Sequence, residues 1–310
     1  MRLITLTAPS KTFLVGEYIA LSGGPTLILN TQPRFELTAS ISENDLPSKQ
    51  QGIRIHSPAG KFIKLFQQQF LGNKLSFKDP HKGTGGFGAS SAQFAMVLAL
   101  EHLIKNQRTI KIAIPSVLQF YAECSWSGNG PSPSGADVIA QMVGKIAFYH
   151  NQQQQLEQLS WPFENIDFCL IRTGQKIATH QHLATLSTNA INNSELIDVS
   201  LQTFHAIKTN KPHDFIKAVQ QYGVLLDNLG LVAAHTQQML QQINKFAPML
   251  TTKGCGALGA DVILIIFESS QRDALLEWLQ QQSFNIAVFG REQLCDGILC
   301  SDLTNLELEY

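Results

Sequence analysis

The sequence predicts a two-lobed protein of mixed structure, α+β or α/β. Three observations carry this. Strand-like and helix-like periodicities alternate through both halves of the 310 residues. Trp161-Pro162 interrupts that alternation near the middle. Each half also holds one loop of small residues, at 83–92 and at 252–261, beside strongly periodic segments. A chain of this length makes one large domain or two ordinary ones. The break places them at 1–162 and 163–310, and no internal repeat is visible.

Taken in order, residues 2–7 alternate as a first strand, and 12–15 are strand-like again. Ser22-Gly-Gly-Pro25 is a turn, with strands expected at 26–29 and 34–41. Residues 42–60 are polar and turn-rich, and 61–71 have helical periodicity with a wet face at Gln67 to Gln69. Residues 74–82 are polar and broken by Pro80. After the glycine stretch, 93–103 is a strong helix pattern. Another helix opens over 110–115 and runs to Trp126, followed by a loop at 127–135, a short helix at 136–142 and a strand at 145–150. The glutamine run 152–155 reads as a solvated turn. In the second half, 166–172 is a buried strand leading into the loop 173–176. Helices are expected at 194–209, with Ser194 as N-cap, at 212–229, closed by Gly230, and at 235–245. Residues 262–267 and 285–289 are strands flanking an amphipathic helix at 272–281.

Composition narrows the function. A net charge of −1 argues against a polyanion-binding surface, whereas a small anion needs only a few local cations. No nucleic-acid partner is therefore expected. The five cysteines, 124, 169, 255, 295 and 300, are scattered, odd in number and without C-x-x-C spacing, so reduced thiols in a cytoplasmic protein are expected. The first residues lack a signal-peptide h-region, and no apolar run approaches the length of a membrane span.

Residues 83–92, Gly-Thr-Gly-Gly-Phe-Gly-Ala-Ser-Ser-Ala, carry the strongest local signal. Glycine permits positive φ and close approach of a ligand to the backbone. A helix start adds free N–H groups and the positive end of a dipole, so phosphate is a suitable ligand. The stretch satisfies G-x-G-x-x-G at Gly83, Gly85 and Gly88, but no buried strand precedes it and no acid follows at the dinucleotide spacing. It nearly fits the P-loop, with Ala89 where the lysine belongs. A protein-kinase glycine loop joins two strands, and this one enters a helix.

Four further segments set the stretch in context. These are Ala8-Pro-Ser-Lys11 with Gly16-Glu-Tyr18, Pro133-Ser-Gly-Ala-Asp137, Tyr222-Gly-Val-Leu-Leu-Asp-Asn-Leu-Gly230, and Gly256-Ala-Leu-Gly-Ala-Asp261. With Gly86-Phe-Gly-Ala-Ser-Ser-Ala92, they stand in the order of the motifs of the GHMP small-molecule kinases, which this chain resembles. The resemblance implies an α+β, two-lobed GHMP kinase fold: an N-terminal lobe with a left-handed βαβ crossover and a ferredoxin-like C-terminal lobe. ATP and Mg²⁺ are the implied cofactors. Backbone groups of Gly85, Gly86, Gly88, Ala89, Ser90 and Ser91 are expected to hold the ATP phosphates. Ser90 and Glu123, which lies fourteen residues before Asp137, take the family's magnesium-ligand roles. Hard oxygen ligands of this kind suit that ion. Asp137 takes the catalytic carboxylate's place, and Lys11 sits beside it to keep it ionised and to stabilise transferred charge.

The resemblance also implies acceptor contacts at Lys11, Glu17, Tyr18, Ser134, Gly135, Arg172, Lys176, Gly256 and Ala257. Tyr18, Ser134-Gly-Ala-Asp-Val138 and Asp261 are more similar to phosphomevalonate kinases, whereas Pro133 and the segment 225–230 are more similar to mevalonate kinases. The expected activity is phosphorylation of a small isoprenoid-pathway metabolite, first phosphomevalonate. The alternatives are phosphorylation of the mevalonate hydroxyl and a non-catalytic nucleotide-binding relative. An alcohol acceptor needs Asp137 as base; a phosphate monoester is already ionised near pH 7 and leans on Lys11 instead. Ser10, Ala89, Leu258 and Ala260 depart from the family pattern and narrow the approach to its backbone.

Overall fold

The computed structural model describes residues 2–42, 46–105, 109–175, 193–300 and 305–310. In the first half, β1 (Arg2–Val15) and β2 (Pro25–Ile41) pair antiparallel along nearly their whole length. Ile4, Leu6 and Ala8 are buried at alternate positions, as a half-buried strand requires. The short strand β3 (Lys49–Gln51), helix α1 (Pro58–Leu65) and β4 (Lys74–Lys78) follow; β3 and β4 are parallel, so the three form a βαβ unit. Helix α2 (Ala89–Ile104) is buried almost all round from Ser91 to Leu103, which explains its near-continuous apolar sequence. Then come β5 (Thr109–Ala113), α3 (Ile114–Ser125), α4 (Ala136–Val143), β6 (Ile146–His150) and β7 (Gln155–Leu159).

The second half contains β8 (Ile166–Arg172), α5 (Ser194–Lys208), α6 (Pro212–Asn228), α7 (Ala234–Ile243), β9 (Met249–Cys255), β10 (Val262–Glu268), α8 (Arg272–Gln281) and β11 (Asn285–Phe289). Its four strands are antiparallel in the order β11-β8-β10-β9. That is the ferredoxin-like βαββαβ arrangement. Alternation along β10 feeds two cores: Leu264 and Ile266 face α5 and α6, and Ile263, Ile265 and Phe267 face α7 and α8.

The chain changes sheets between β7 and β8, around Trp161-Pro162, but its last strands return. β12 (Leu299–Cys300) adds to β1 and β13 (Asn305–Glu309) pairs parallel with β5, so both of these strands join the first half. The large sheet runs β12-β1-β2-β4-β3, with β6 on the other half of β2 and β7 outside it.

Several expected elements shift. The two strands expected at 26–29 and 34–41 are one. Residues 109–113 are a strand instead of a helix start, because Pro115 sets the first turn of α3 only after them. The helix expected at 61–71 starts earlier, where the Ser57 hydroxyl accepts from the Gly60 N–H. Asn193, not Ser194, caps α5, accepting from the Leu196 N–H at 3.0 Å. The small-residue segment expected as a loop from 252 is β9 up to Cys255. Among the described residues no helix is long and apolar enough to cross a membrane.

Candidate active site

The glycine loop is held from four sides. Gly83, Gly85, Gly86 and Gly88 all have positive φ, and Gly88 hands the chain to α2 in a left-handed conformation with no side-chain cap. The first amides of α2 are thus left to an external acceptor, as anion binding requires. The Asp79 carboxylate fixes the entry to the loop, accepting from the N–H groups of His81 at 2.8 Å and Gly83 at 2.9 Å. Ser91 is buried and donates back to the Gly88 carbonyl at 3.0 Å. Ser90 is exposed, and its hydroxyl has no hydrogen-bond partner among the described residues. Ala89 begins α2 half-buried.

Lys11 of β1 lies directly against this loop. Its N–H donates to the Phe87 carbonyl at 3.0 Å, and a Cβ added at Gly88 would stand 2.6 Å from its Cγ. Gln141 of α4 closes the junction, donating to the carbonyls of Pro9 at 2.7 Å and Gly88 at 3.2 Å. Asp137 sits one turn before Gln141 on the same face of α4. Gly135, left-handed at φ 68, starts that helix close against Leu118 and Tyr121 of α3, and the Ser134 hydroxyl accepts from the Ala136 N–H. Burial pushes the Tyr121 hydroxyl pKa well up, and the nearby Asp137 charge adds to it. Lys11, Gly88, Gln141, Asp137, Ser134 and Gly135 therefore form one neighbourhood. No ion pair within 4.0 Å joins Lys11 to Asp137.

The second small-residue loop meets the first. A Cβ at Gly86 would lie 2.7 Å from the Asp261 Cβ. Gly256, at φ 91, passes the Asp261 carboxylate, with Ala257 next to it at the start of a short 3-10 turn. Leu258, which replaces a motif glycine, still takes the left-handed conformation (φ 52), at a cost of about 1–2 kcal/mol. Ala260 is right-handed and needs no glycine. The Thr173 hydroxyl and N–H donate to the carbonyls of Ala260 and Asp261, tying β8 to this loop.

Arg172, at the end of β8, reaches into the first lobe. Its guanidinium carbon is 4.8 Å from the Phe87 ring centre, and it donates to His81 Nδ1 at 2.5 Å. His81 Nε2 lies 2.6 Å from the Ser10 hydroxyl, which donates to the Pro33 carbonyl at 2.6 Å. Burial, reinforced by the Arg172 charge, lowers the His81 ring to about 4.

Glu17 and Tyr18, expected at the acceptor, are committed elsewhere. Glu17 pairs with Lys253 of β9, both almost fully buried. Lys253 also donates to the Gly254 carbonyl at 3.1 Å and lies over the Tyr222 ring. Burial opposes the charge on Lys253, but Cys255 and Glu17 around it hold its pKa above the ordinary 10.5. The Tyr18 hydroxyl accepts from the Leu258 N–H at 2.9 Å, and burial raises its pKa. Both residues link the two lobes, and both are buried.

Glu123 is also not brought to the site. It is exposed on α3 and accepts from Gln119 one turn earlier at 3.0 Å. Leu118 and Tyr121 face the Gly135 turn, and about 100° per residue puts Glu123 roughly 140–160° away from them. Among the described residues no group of three His, Cys, Asp or Glu side chains can hold a metal ion. The Ser90 hydroxyl suits Mg²⁺, but the expected pairing with Glu123 does not fit the structure. Lys176 lies outside the described residues. His81, Gln141 and Lys253 escaped the sequence reading. The turn-forming Asp79-Pro80 ahead of His81, the i,i+4 relation of Gln141 to Asp137, and a lysine alone among small residues were the available signals.

No family model matches the chain, and no curated protein is similar to it in sequence. Solved structures are similar in fold. Phosphomevalonate kinase from Streptococcus pneumoniae is 14% identical with a TM-score of 0.72, over 93% of this chain and 99% of that one; it has also been solved in complex with phosphomevalonate and AMPPNP. Galactokinase from Lactococcus lactis, complexed with galactose, is 12% identical with a TM-score of 0.73, over 96% of this chain and 95% of that one. Mevalonate kinase from Methanococcus jannaschii is 13% identical with a TM-score of 0.68, over 91% and 96%. The chain has the GHMP kinase fold.

Proposed function

We propose that this chain is a small-molecule kinase that transfers the γ-phosphoryl group of ATP to a phosphorylated acceptor, with phosphomevalonate the best-fitting one. The observation that carries the reading is the contact of Lys11 with Gly88 at the uncapped start of α2, with Asp137 one turn from the glutamine that closes that contact. The positive-φ glycines and free amides suit the nucleotide phosphates. In this reading Lys11 supplies charge stabilisation where the phosphoryl group passes, and Asp137, one turn from Gln141, serves the acceptor. An acceptor phosphate is already ionised near pH 7, so Lys11 carries more of the catalysis than Asp137. The Arg172 guanidinium supplies the second cation that a doubly charged acceptor needs. Buried thiols at Cys124, Cys169 and Cys255 accord with a cytoplasmic protein.

The test is a coupled ADP-release assay with phosphomevalonate and with mevalonate. Turnover with phosphomevalonate supports the reading, and turnover with mevalonate alone moves the acceptor to the alcohol. Measurable ATP binding without turnover on either, or on homoserine or a sugar, favours a non-catalytic relative.

A further inference from the structure

We propose that His81 is a positioning residue that aims Arg172 at the anionic group of the acceptor, with Ser10, where the motif glycine would stand, as its anchor. The inference rests on the kinase reading and deepens it.

A guanidinium only donates, so His81 Nδ1 must accept from Arg172 at 2.5 Å. The ring proton is then on Nε2, facing the Ser10 hydroxyl at 2.6 Å. That hydroxyl accepts it and gives its own proton to the Pro33 carbonyl at 2.6 Å. Only the neutral Nε2–H ring satisfies all three bonds at once. A protonated ring would turn an N–H against the guanidinium, and the low pKa of about 4 keeps the neutral form in place.

The relay is rigid. His81 is 4% exposed, its ring stacks on Phe87 at 4.3 Å, Phe35 meets it edge-on, and its N–H is held by Asp79. Glycine at position 10 would leave the buried Nε2–H without a partner. Arg172 is held against Phe87, whose carbonyl binds the Lys11 N–H. Its other guanidinium N–H groups have no protein partner among the described residues. The guanidinium thus lies at Phe87 and the Lys11 side chain at the neighbouring Gly88, with its ammonium 4.8 Å from the Phe13 ring centre, so an acceptor phosphate or carboxylate at this end of the glycine loop would meet both. Arg172 reaches this place from the second lobe, and His81 fixes where its fork points.

The experiment compares intact wild-type protein with His81→Phe, which keeps a ring on Phe87 but removes the accepting nitrogen, and with His81→Asn, which restores an acceptor near the Nδ1 position. Melting curves of all three establish that they fold. The expected result is a KM for phosphomevalonate raised at least tenfold in His81→Phe, kcat and the KM for ATP within about threefold, and most of the loss recovered in His81→Asn. An unchanged KM, or a fall in kcat that His81→Asn does not rescue, overturns the proposal. Should the wild type turn over no acceptor, the kinase reading fails separately. The relay is then judged by calorimetric binding of inorganic phosphate. Binding lost in Arg172→Met and weakened at least tenfold in His81→Phe upholds it, and equal affinity, or none in the wild type, overturns it.

Discussion

The main-chain N–H of Lys11 donates to the carbonyl of Phe87 at 3.0 Å, tying the first strand and the glycine loop into one packed unit.

Gly88→Ala is the sharpest probe of that unit. Its Cβ would fall 2.6 Å from Lys11 Cγ and 3.0 Å from Gln141 Nε2, at a φ of 79 that disfavours any side chain. Turnover should fall at least a hundredfold, a rise of about 2.7 kcal/mol in the barrier. Gly83→Ala is the control. Nothing lies within 4 Å of its Cβ, so it should cost only about 1–2 kcal/mol of stability from its positive φ, with turnover near normal. Comparable turnover in the two variants would contradict the packing argument.

Lys11→Met and Asp137→Asn should each lower turnover by orders of magnitude while ATP binding, measured by calorimetry, survives. With a phosphorylated acceptor Lys11→Met should be the more damaging. Glu123→Gln should change turnover less than twofold, since that carboxylate is exposed and turned from the site.

Lys253→Met would leave the Glu17 carboxylate buried without its cation, at a cost of about 3–5 kcal/mol. Glu17→Gln combined with Lys253→Met should cost clearly less than Lys253→Met alone, with little change in acceptor KM. Chemical denaturation reads the first and steady-state kinetics the second. Strict additivity, or a large KM effect in the double variant, would return Glu17 to the substrate.

The amphipathic helix at 272–281, the strand at 285–289 and the ordered motifs were legible because each is a local pattern. The roles of Glu17, Tyr18 and Glu123 were not. Glu17 is decided by a lysine 236 positions away in the other lobe, and Glu123 by the rotation of α3 about its axis. Motif spacing carries neither. β9 hid for the same reason, because Lys253 reads as a surface residue until its partner is known. β4 did alternate, with Leu75 buried between exposed lysine and serine, but Pro80 and the flanking lysines masked it.

His81 gives stability a pH dependence of known sign. Its ring titrates at about 4 in the fold against an ordinary 6.5. As pH falls, the unfolded chain takes up that proton first. The stability contributed by the neutral ring is therefore complete above 6.5 and lost between 6.5 and about 4, at roughly 1.4 kcal/mol per unit. The difference in unfolding free energy between wild type and His81→Phe should shrink by about 2 kcal/mol from pH 7 to pH 5. A difference independent of pH contradicts the buried neutral ring.

Phosphoryl transfer at the junction of Lys11, Gly88 and Asp137 is read out by ADP release from the wild-type protein with phosphomevalonate. The expected result is ATP-dependent turnover that is lost in Lys11→Met. No ADP release with phosphomevalonate or mevalonate, from protein that binds ATP, would contradict it.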